Sequence, residues 1–281
     1  MQGGNLMSLV DTMITSRQNE VVKRARALAR GKDISGAAVM CVEGIRLLEE
    51  ALIEGVRFDT VFVSPKIEAT ERGARLRQDL LLSGNPVLEA TDDVLESISD
   101  AAGDQGAVGL AYKRRWKPDE LFPGDRTPLV ALTWGVQDPG NLGTIMRTAD
   151  AVGVTGLIAT ARSACPYNTK CIRATMGSIF RLPLLEIEED LAAIRLIKEH
   201  ETRLIGTALV DNYRHVDVKY NRPVAIVFGG EGGGVPEHVL NKCIQTVRIP
   251  IRRGVESLNV ATAAAVILYE AARQRDFKGM V

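Results

Sequence analysis

The sequence is short of the residues that announce metal or redox chemistry, with three histidines and four cysteines in 281 residues. His200, His215 and His238 are scattered, show neither triad nor metal-ligand spacing, and receive no role. Cys41, Cys165, Cys171 and Cys243 form no CxxC or Cys/His zinc pattern, and nothing suggests an oxidising compartment. No stretch is long and apolar enough to span a bilayer. The start, MQGGNLMSLVDTMITS, lacks a positive segment followed by an apolar one, so it does not read as a signal peptide. A cytoplasmic protein with reduced thiols, no membrane and no metal is therefore expected. Net charge is missing too: 35 Lys and Arg balance 35 Asp and Glu, which excludes a uniformly basic surface.

Two nucleotide fingerprints are also absent. The glycine-rich run Val227–Pro236 fits no register of GxGxxG, because the third glycine's place falls on Val235 or Glu231. No Lys-Ser/Thr pair follows to make a P-loop. The acidic residue that would bind a dinucleotide ribose is missing as well, which argues against an NAD-type dehydrogenase.

What is present is a globular composition, 46% hydrophobic and 25% charged, in a chain long enough for one large or two ordinary domains. Charge is patterned locally. Residues 1–32 carry Arg17, Lys23, Arg24, Arg26, Arg30 and Lys32 against Asp11 and Glu20. Residues 113–117 (KRRWK) form a second basic knot around Trp116. Such patches suit an enzyme acting on structured RNA, and they equally suit a solvated helix face and a linker. Trp116 fits base stacking and interdomain packing alike.

Residues 1–12 read as a disordered tail. From Ser16, a plausible cap, QNEVVKRARALARG reads as an amphipathic helix closed by Gly31. Val21, Ala25 and Leu28 face a core and Lys23, Arg26 and Arg30 share another face. Short alternating elements follow: AAVMCVEG strand, GIRLLEEALIEG helix, FDTVFVSP strand, ATERGARLRQDLLLSG helix, then VLEA, DDVLESISD and GAVGLAYK. They make a small α/β domain over residues 13–113. Residues 114–127, with Pro118, Pro123, Gly124 and Asp125, have linker chemistry.

Residues 128–281 repeat the rhythm more strongly. PLVALTWG, VTGLIAT, RLIGTAL, PVAIVFGG and QTVRIPI read as apolar strands. GTIMRTADAVG, RATMGSIFR, DLAAIRLIKEH and LNVATAAAVILYEAARQ read as helices. Alternation of this kind means a parallel sheet covered on both faces, with ligands at loops beyond the carboxyl ends of strands.

Three such loops carry candidate chemistry. In Gln137–Gly153, Asn141 sits near a helix start and Arg147 lies six residues on, among small neighbours. In Val227–Pro236 the glycines permit close backbone approach to a ligand. In Ile249–Ala265, Ser257 is a good helix cap and the alanines let the helix pack tightly. Taken singly, each loop is also explained by caps, turns and packing.

In order, spacing and residues the three loops resemble the motifs of the SpoU (TrmH-type) branch of the SPOUT methyltransferases. The matches are NxGxxxRTADAxG (Asn141, Gly143, Arg147, Gly153), GGEGxGvP, and IPixxxxeSLNVaxAaaviLYE. The segment KCIRATMGSIFRLPL between motifs is similar too, although Thr175 stands where many relatives have serine in Arg-x-Ser-x-Gly. The likeness covers roughly residues 128–275. ITSRQNEVVKRARAL and VEGIRLLEEAL resemble the ribosomal-protein-like substrate-binding domain of rRNA-targeting members.

The resemblance implies a carboxy-terminal SPOUT domain with a trefoil knot, a rare exception to unknotted topology, beside the smaller RNA-binding domain. It implies an S-adenosylmethionine-dependent RNA ribose 2′-O-methyltransferase, with rRNA ahead of tRNA as substrate, working as a homodimer through the knotted domain. The alternatives are a tRNA enzyme, or a non-catalytic RNA-binding or ribosome-assembly protein of the same fold. Implied cofactor positions are Thr207, Ala208, Leu209, Phe228, Gly229, Gly230, Gly232, Ile249, Ile251, Ser257, Leu258, Asn259 and Val260. Implied catalytic positions are Arg147, Asn141, Glu231, Ser257 and Asn259, and Arg17, Lys23, Arg26 and Arg30 are the expected RNA contacts. A guanidinium is a poor base, so Arg147 is expected to position the nucleotide and stabilise charge first, and to act as a base second.

Overall fold

The structure is a computed structural model that describes residues 13–32, 36–99, 105–160, 162–209 and 213–281. The tail expected over residues 1–12 lies outside them. The chain divides into two compact units, Met1–Lys113 and Arg114–Val281.

The first unit opens with helix α1 (Glu20–Ala29). Its cap is Asn19, not the expected Ser16; the Asn19 side chain accepts the Val21 N–H at 2.9 Å. The Ser16 hydroxyl accepts the Gln18 N–H instead, one turn too early to start the helix. Val22 rather than Val21 joins Ala25, Leu28 and Ala29 in the core, a small rotation of the expected apolar stripe. Then come β1 (Val39–Glu43), α2 (Ile45–Ile53), β2 (Phe58–Val63), a 3-10 turn (Pro65–Ala69), α3 (Glu71–Leu82), β3 (Val87–Glu89), α4 (Asp92–Ile98) and β4 (Ala107–Tyr112). The sheet order is β1-β4-β2-β3, with β4 antiparallel to both neighbours and β3 parallel to β2. α1 and α4 close one face over Val39, Cys41, Phe62, Val108 and Leu110.

The second unit begins where a linker was expected. Residues 118–121 form a short helix α5 (Pro118–Leu121), and Leu121 and Phe122 are buried in the core of this unit. Leu121 also packs on β6, where a Cβ at Gly156 would fall 2.2 Å from its Cγ. Proline and glycine density misled here because two apolar residues among them suffice to fix the segment. The remaining elements are β5 (Leu129–Trp134), α6 (Pro139–Ala151), β6 (Gly156–Thr160), α7 (Thr169–Thr175), β7 (Leu184–Ile187), α8 (Asp190–Glu199), β8 (Arg203–Thr207), β9 (Val224–Gly229), α9 (Glu237–Leu240), β10 (Gln245–Val247) and α10 (Val260–Gln274).

All five strand pairings of this sheet are parallel, in the order β10-β8-β9-β5-β6-β7. LVALTW and VAIVFG, adjacent at the centre, are buried at every residue, which is why they read as continuous apolar runs rather than alternating ones. The helix expected over RATMGSIFR is broken, because Met176 (φ 50°) and Gly177 (φ 99°) are left-handed and only a 3-10 turn follows. The Arg275 guanidinium, lowered to about 10 by burial, closes the amino ends of the central strands. It donates to the carbonyls of Thr127, Pro128, Tyr220 and Arg222 at 2.7–2.9 Å. Among the described residues no helix is long and apolar enough to cross a membrane.

Candidate functional site

The strand order turns at β5: later strands lie on both sides of it, and chains leaving β5 and β9 diverge there. That is where an open parallel sheet offers a crevice at its carboxyl end. α6 starts in this crevice, earlier than the expected Gly143, because Asp138 caps it and Pro139 occupies its first position. The Asp138 carboxylate accepts the Asn141 N–H at 2.8 Å and pairs with Lys170 Nζ at 2.7 Å. Lys170, then the Asn141 N–H, hold Asp138 below its ordinary range.

Asn141 is thereby fixed in the first turn, with its side chain turned to the glycine-rich loop after β9. Its amide donates to Glu231 Oε1 at 2.6 Å, and the Gln137 N–H reaches Glu231 Oε2 at 3.3 Å. From the third loop Asn259 donates to Asn141 Oδ1 at 3.0 Å. The same Asn259 side chain caps α10, accepting the N–H groups of Ala261 and Thr262 at 2.9 and 3.3 Å. The cap is thus Asn259 and not the expected Ser257. Burial raises the Glu231 carboxyl, but Asn141 and the nearby backbone N–H groups outweigh it and leave it below its ordinary value. Asn259, Asn141 and Glu231 form one hydrogen-bonded relay across three loops.

Beside the relay lies a cavity of about 570 Å³. Its walls are Thr207–Leu209 at the end of β8, Phe228–Val235, Ile249 and Ile251, and Ser257–Val260, so every expected cofactor position lines it. Glu231 lines it as well. Sequence reasoning missed its floor: Leu240, Val247, Ala263 and Ile267. These are ordinary apolar positions of strand and helix, and nothing in their identity marks them. The missed Asp138 had a signal, an acidic cap directly before proline. Gly230 is required where two loops cross: a Cβ there would fall 1.8 Å from the Gly135 carbonyl oxygen.

Arg147 does not line the cavity. It is exposed on α6, about 9 Å along the axis from Asn141. It makes no hydrogen bond or ion pair among the described residues. Ser257 is exposed at the cavity edge. Thr175, in place of the usual serine, is buried with its hydroxyl on the Ile172 carbonyl at 2.7 Å. Trp116 carries the Arg114 guanidinium 3.8 Å over its ring, so one of its faces is already covered.

Residues 128–269 match the model of the SpoU rRNA methylase family, just over half of the chain. The chain belongs to the SpoU rRNA methylase family. Residues 19–109 of this SpoU-family chain also match the MRM3-like substrate binding domain. It is similar to an uncharacterized tRNA/rRNA methyltransferase of Synechocystis, 32% identical over 93% of this chain and 94% of that one. It is similar to the 23S rRNA guanosine 2′-O-methyltransferase RlmP of Bacillus subtilis, 29% identical over 91% of this chain and 97% of that one. Among solved structures, an AdoMet-bound rRNA methyltransferase from Sinorhizobium meliloti aligns with a TM-score of 0.81. It shares 31% identity over 93% of this chain and 97% of that one.

Proposed function

We propose that this SpoU-family chain methylates a ribose 2′-hydroxyl in RNA, ribosomal RNA first, with S-adenosylmethionine as the methyl donor. The observation that carries this is the relay Asn259–Asn141–Glu231, which sets a fixed polar edge on a glycine-lined apolar cavity. The match of residues 19–109 to a substrate-binding domain supports rRNA over tRNA.

The cavity suits the cofactor: apolar strand ends with open backbone groups fit an adenine edge, and the glycines permit close approach. When bound, S-adenosylmethionine supplies an already activated methyl on a sulfonium, so the protein must supply position and charge. Thr207–Leu209, Phe228–Gly232, Ile249–Ile251 and Ser257–Val260 hold it. Asn141, oriented at both ends of its amide, fixes the geometry of the α6 amino end. Arg147, with no partner among the described residues, is available to an RNA phosphate and to the charge developing on the ribose oxygen. Ser257 hydrogen-bonds the ribose or the cofactor loop.

The path of the chain fits the implied knot. After β9 it runs beyond β8 to β10, then doubles back to set Asn259 against Asn141. A homodimer through this domain fits the exposed Val266 and Tyr269 on α10, and a cytoplasmic site of action fits an rRNA substrate. The test combines calorimetry with S-adenosylmethionine and methyl transfer to 23S rRNA. Micromolar binding with a mapped 2′-O-methyl nucleotide is expected. Binding without transfer to any RNA would make the chain a non-catalytic member, and no binding would end the enzyme reading.

A further inference from the structure

The cations of α1 and its lead-in are engaged within their own unit. Arg17 pairs with Asp93 at 2.7 Å, Lys23 with Glu20 at 2.8 Å and Arg24 with Asp59 at 3.0 Å. Arg26 donates to the Ser97 carbonyl and hydroxyl and to the Arg17 carbonyl at 2.8–3.1 Å, tying α1 to α4. Of these five only the Arg30 side chain has no partner among the described residues.

The second unit holds two cations in a different setting. The loop from β10 to α10 lines the cofactor cavity twice, at Ile249 and Ile251 and again at Ser257–Val260. The residues between, Arg252–Glu256, do not line it, and every one of them is exposed. They form a rim beside the cavity mouth. Gly254 (φ 89°) takes the left-handed place in a tight turn, which the Val255 N–H closes on the Arg252 carbonyl at 3.1 Å. A Cβ at Gly254 would touch nothing, so this glycine serves the turn and not a packing contact.

Arg252 and Arg253 open the turn. Neither guanidinium makes a hydrogen bond or ion pair among the described residues, and Glu256, exposed in the same loop, pairs with neither. The turn fixes where the two side chains start, and the fork of a guanidinium matches the oxygens of a phosphate. The chemistry brings phosphate to this place. A 2′-hydroxyl presented to the cavity belongs to a ribose that carries phosphate on the adjacent 3′-oxygen. The polymer backbone therefore passes the mouth whenever the reacting ribose is seated there. Long cationic side chains on the rim meet that backbone without entering the cavity.

We propose that Arg252 and Arg253 form a phosphate clamp for the RNA backbone at the mouth of the cofactor cavity. The clamp rests on the RNA-methylating reading and assigns part of the substrate grip to the catalytic unit, in addition to the substrate-binding domain. Such a contact positions the polymer and reads no base, so its signatures are salt dependence and a change in KM rather than kcat.

The experiment uses the full chain and 23S rRNA transcribed in vitro. It measures binding over a range of KCl, methyl transfer to the same RNA, and calorimetry with S-adenosylmethionine. In the Arg252→Gln/Arg253→Gln variant the charges go while the side chains stay long; circular dichroism and Tm confirm its fold. A log–log salt slope flatter by about one to two is expected, with a KM for RNA about tenfold higher and unchanged kcat and cofactor affinity. Arg252→Lys/Arg253→Lys is expected to keep most of the slope, because it keeps both charges. A folded Gln variant with the slope and KM of the parent would overturn the clamp. A loss of cofactor affinity with an unchanged slope would overturn it too, and would make the turn a support of the cofactor pocket alone. If the Gln variant flattens the slope but the parent transfers no methyl, the clamp stands and the methyltransferase reading falls. If the parent methylates rRNA and the Gln variant keeps its slope, only the clamp falls. If the parent neither binds nor methylates rRNA, both fall.

Discussion

Arg26 and Arg147 both stand in the body of a helix, α1 and α6, and the two units treat them differently. Arg26 is tied to three acceptors and works as a strut between α1 and α4. Arg147 is exposed, has no partner among the described residues, and stands on the helix whose start anchors the relay. A cation with three internal bonds is part of the fold, and one with none is available for something outside it. The sequence shows two arginines on amphipathic helices, and only the acceptors around them separate the roles.

That contrast can be broken or sharpened by substitution. The largest effect is expected for Arg147→Ala: methyl transfer to rRNA falls by about 10²–10⁴-fold while calorimetry shows unchanged cofactor binding and Tm holds. Undiminished turnover would remove Arg147 from the chemistry. Leu121→Ala, in the segment that reads as a linker, is expected to cost about 2–5 kcal/mol in urea unfolding, because Leu121 is fully buried against Gly156. A cost under about 0.5 kcal/mol, the level of a surface substitution, would restore the linker reading.

Glu231→Gln tests the relay through pH. The folded carboxyl sits below its ordinary value of 4.5, so its stabilisation is fully present above that value and is lost as pH falls through the folded one. The variant places an amide where the carboxylate accepts the Gln137 N–H, and a loss of about 1 kcal/mol is expected at neutral pH. The gap to the parent closes in acid; a gap constant from pH 7 to 3 would place the effect elsewhere. Arg26→Ala is expected to cost about 1 kcal/mol, read by denaturant unfolding, with no loss of catalytic rate at saturating RNA. Lys170→Met comes last, at under about 1 kcal/mol, because its pair with Asp138 is exposed.

Much of the architecture is legible in the residues. LVALTW and VAIVFG announce buried parallel strands because no charged residue interrupts them, and Gly31 closes α1 as expected. The misreadings have local causes. Asp138 and Asn259 compete with nearby glycine and serine as helix starts, and the choice depends on which side chain meets free N–H groups. The break at Met176 requires a left-handed non-glycine residue, which no propensity foretells. β7 was hidden because its short run, LLEI, is half buried at an edge. At the site, the motif positions meet around one cavity, but its apolar floor is built from residues that look like any other core. The pairing of Glu231 with Asn141 across 90 positions is a product of the sheet, not of any local pattern.

The clamp made by Arg275 has a consequence in time. Thr127, Pro128, Tyr220 and Arg222 offer their carbonyls long before the side chain that satisfies them is synthesised. While the chain is still being translated, the central sheet of the second unit therefore has uncapped strand starts, and the first unit, complete by Lys113, can mature well ahead of it. Until α10 emerges, these four carbonyls lack the partner that the folded unit gives them, so the closing of the strand starts belongs to the last stage of the unit's synthesis.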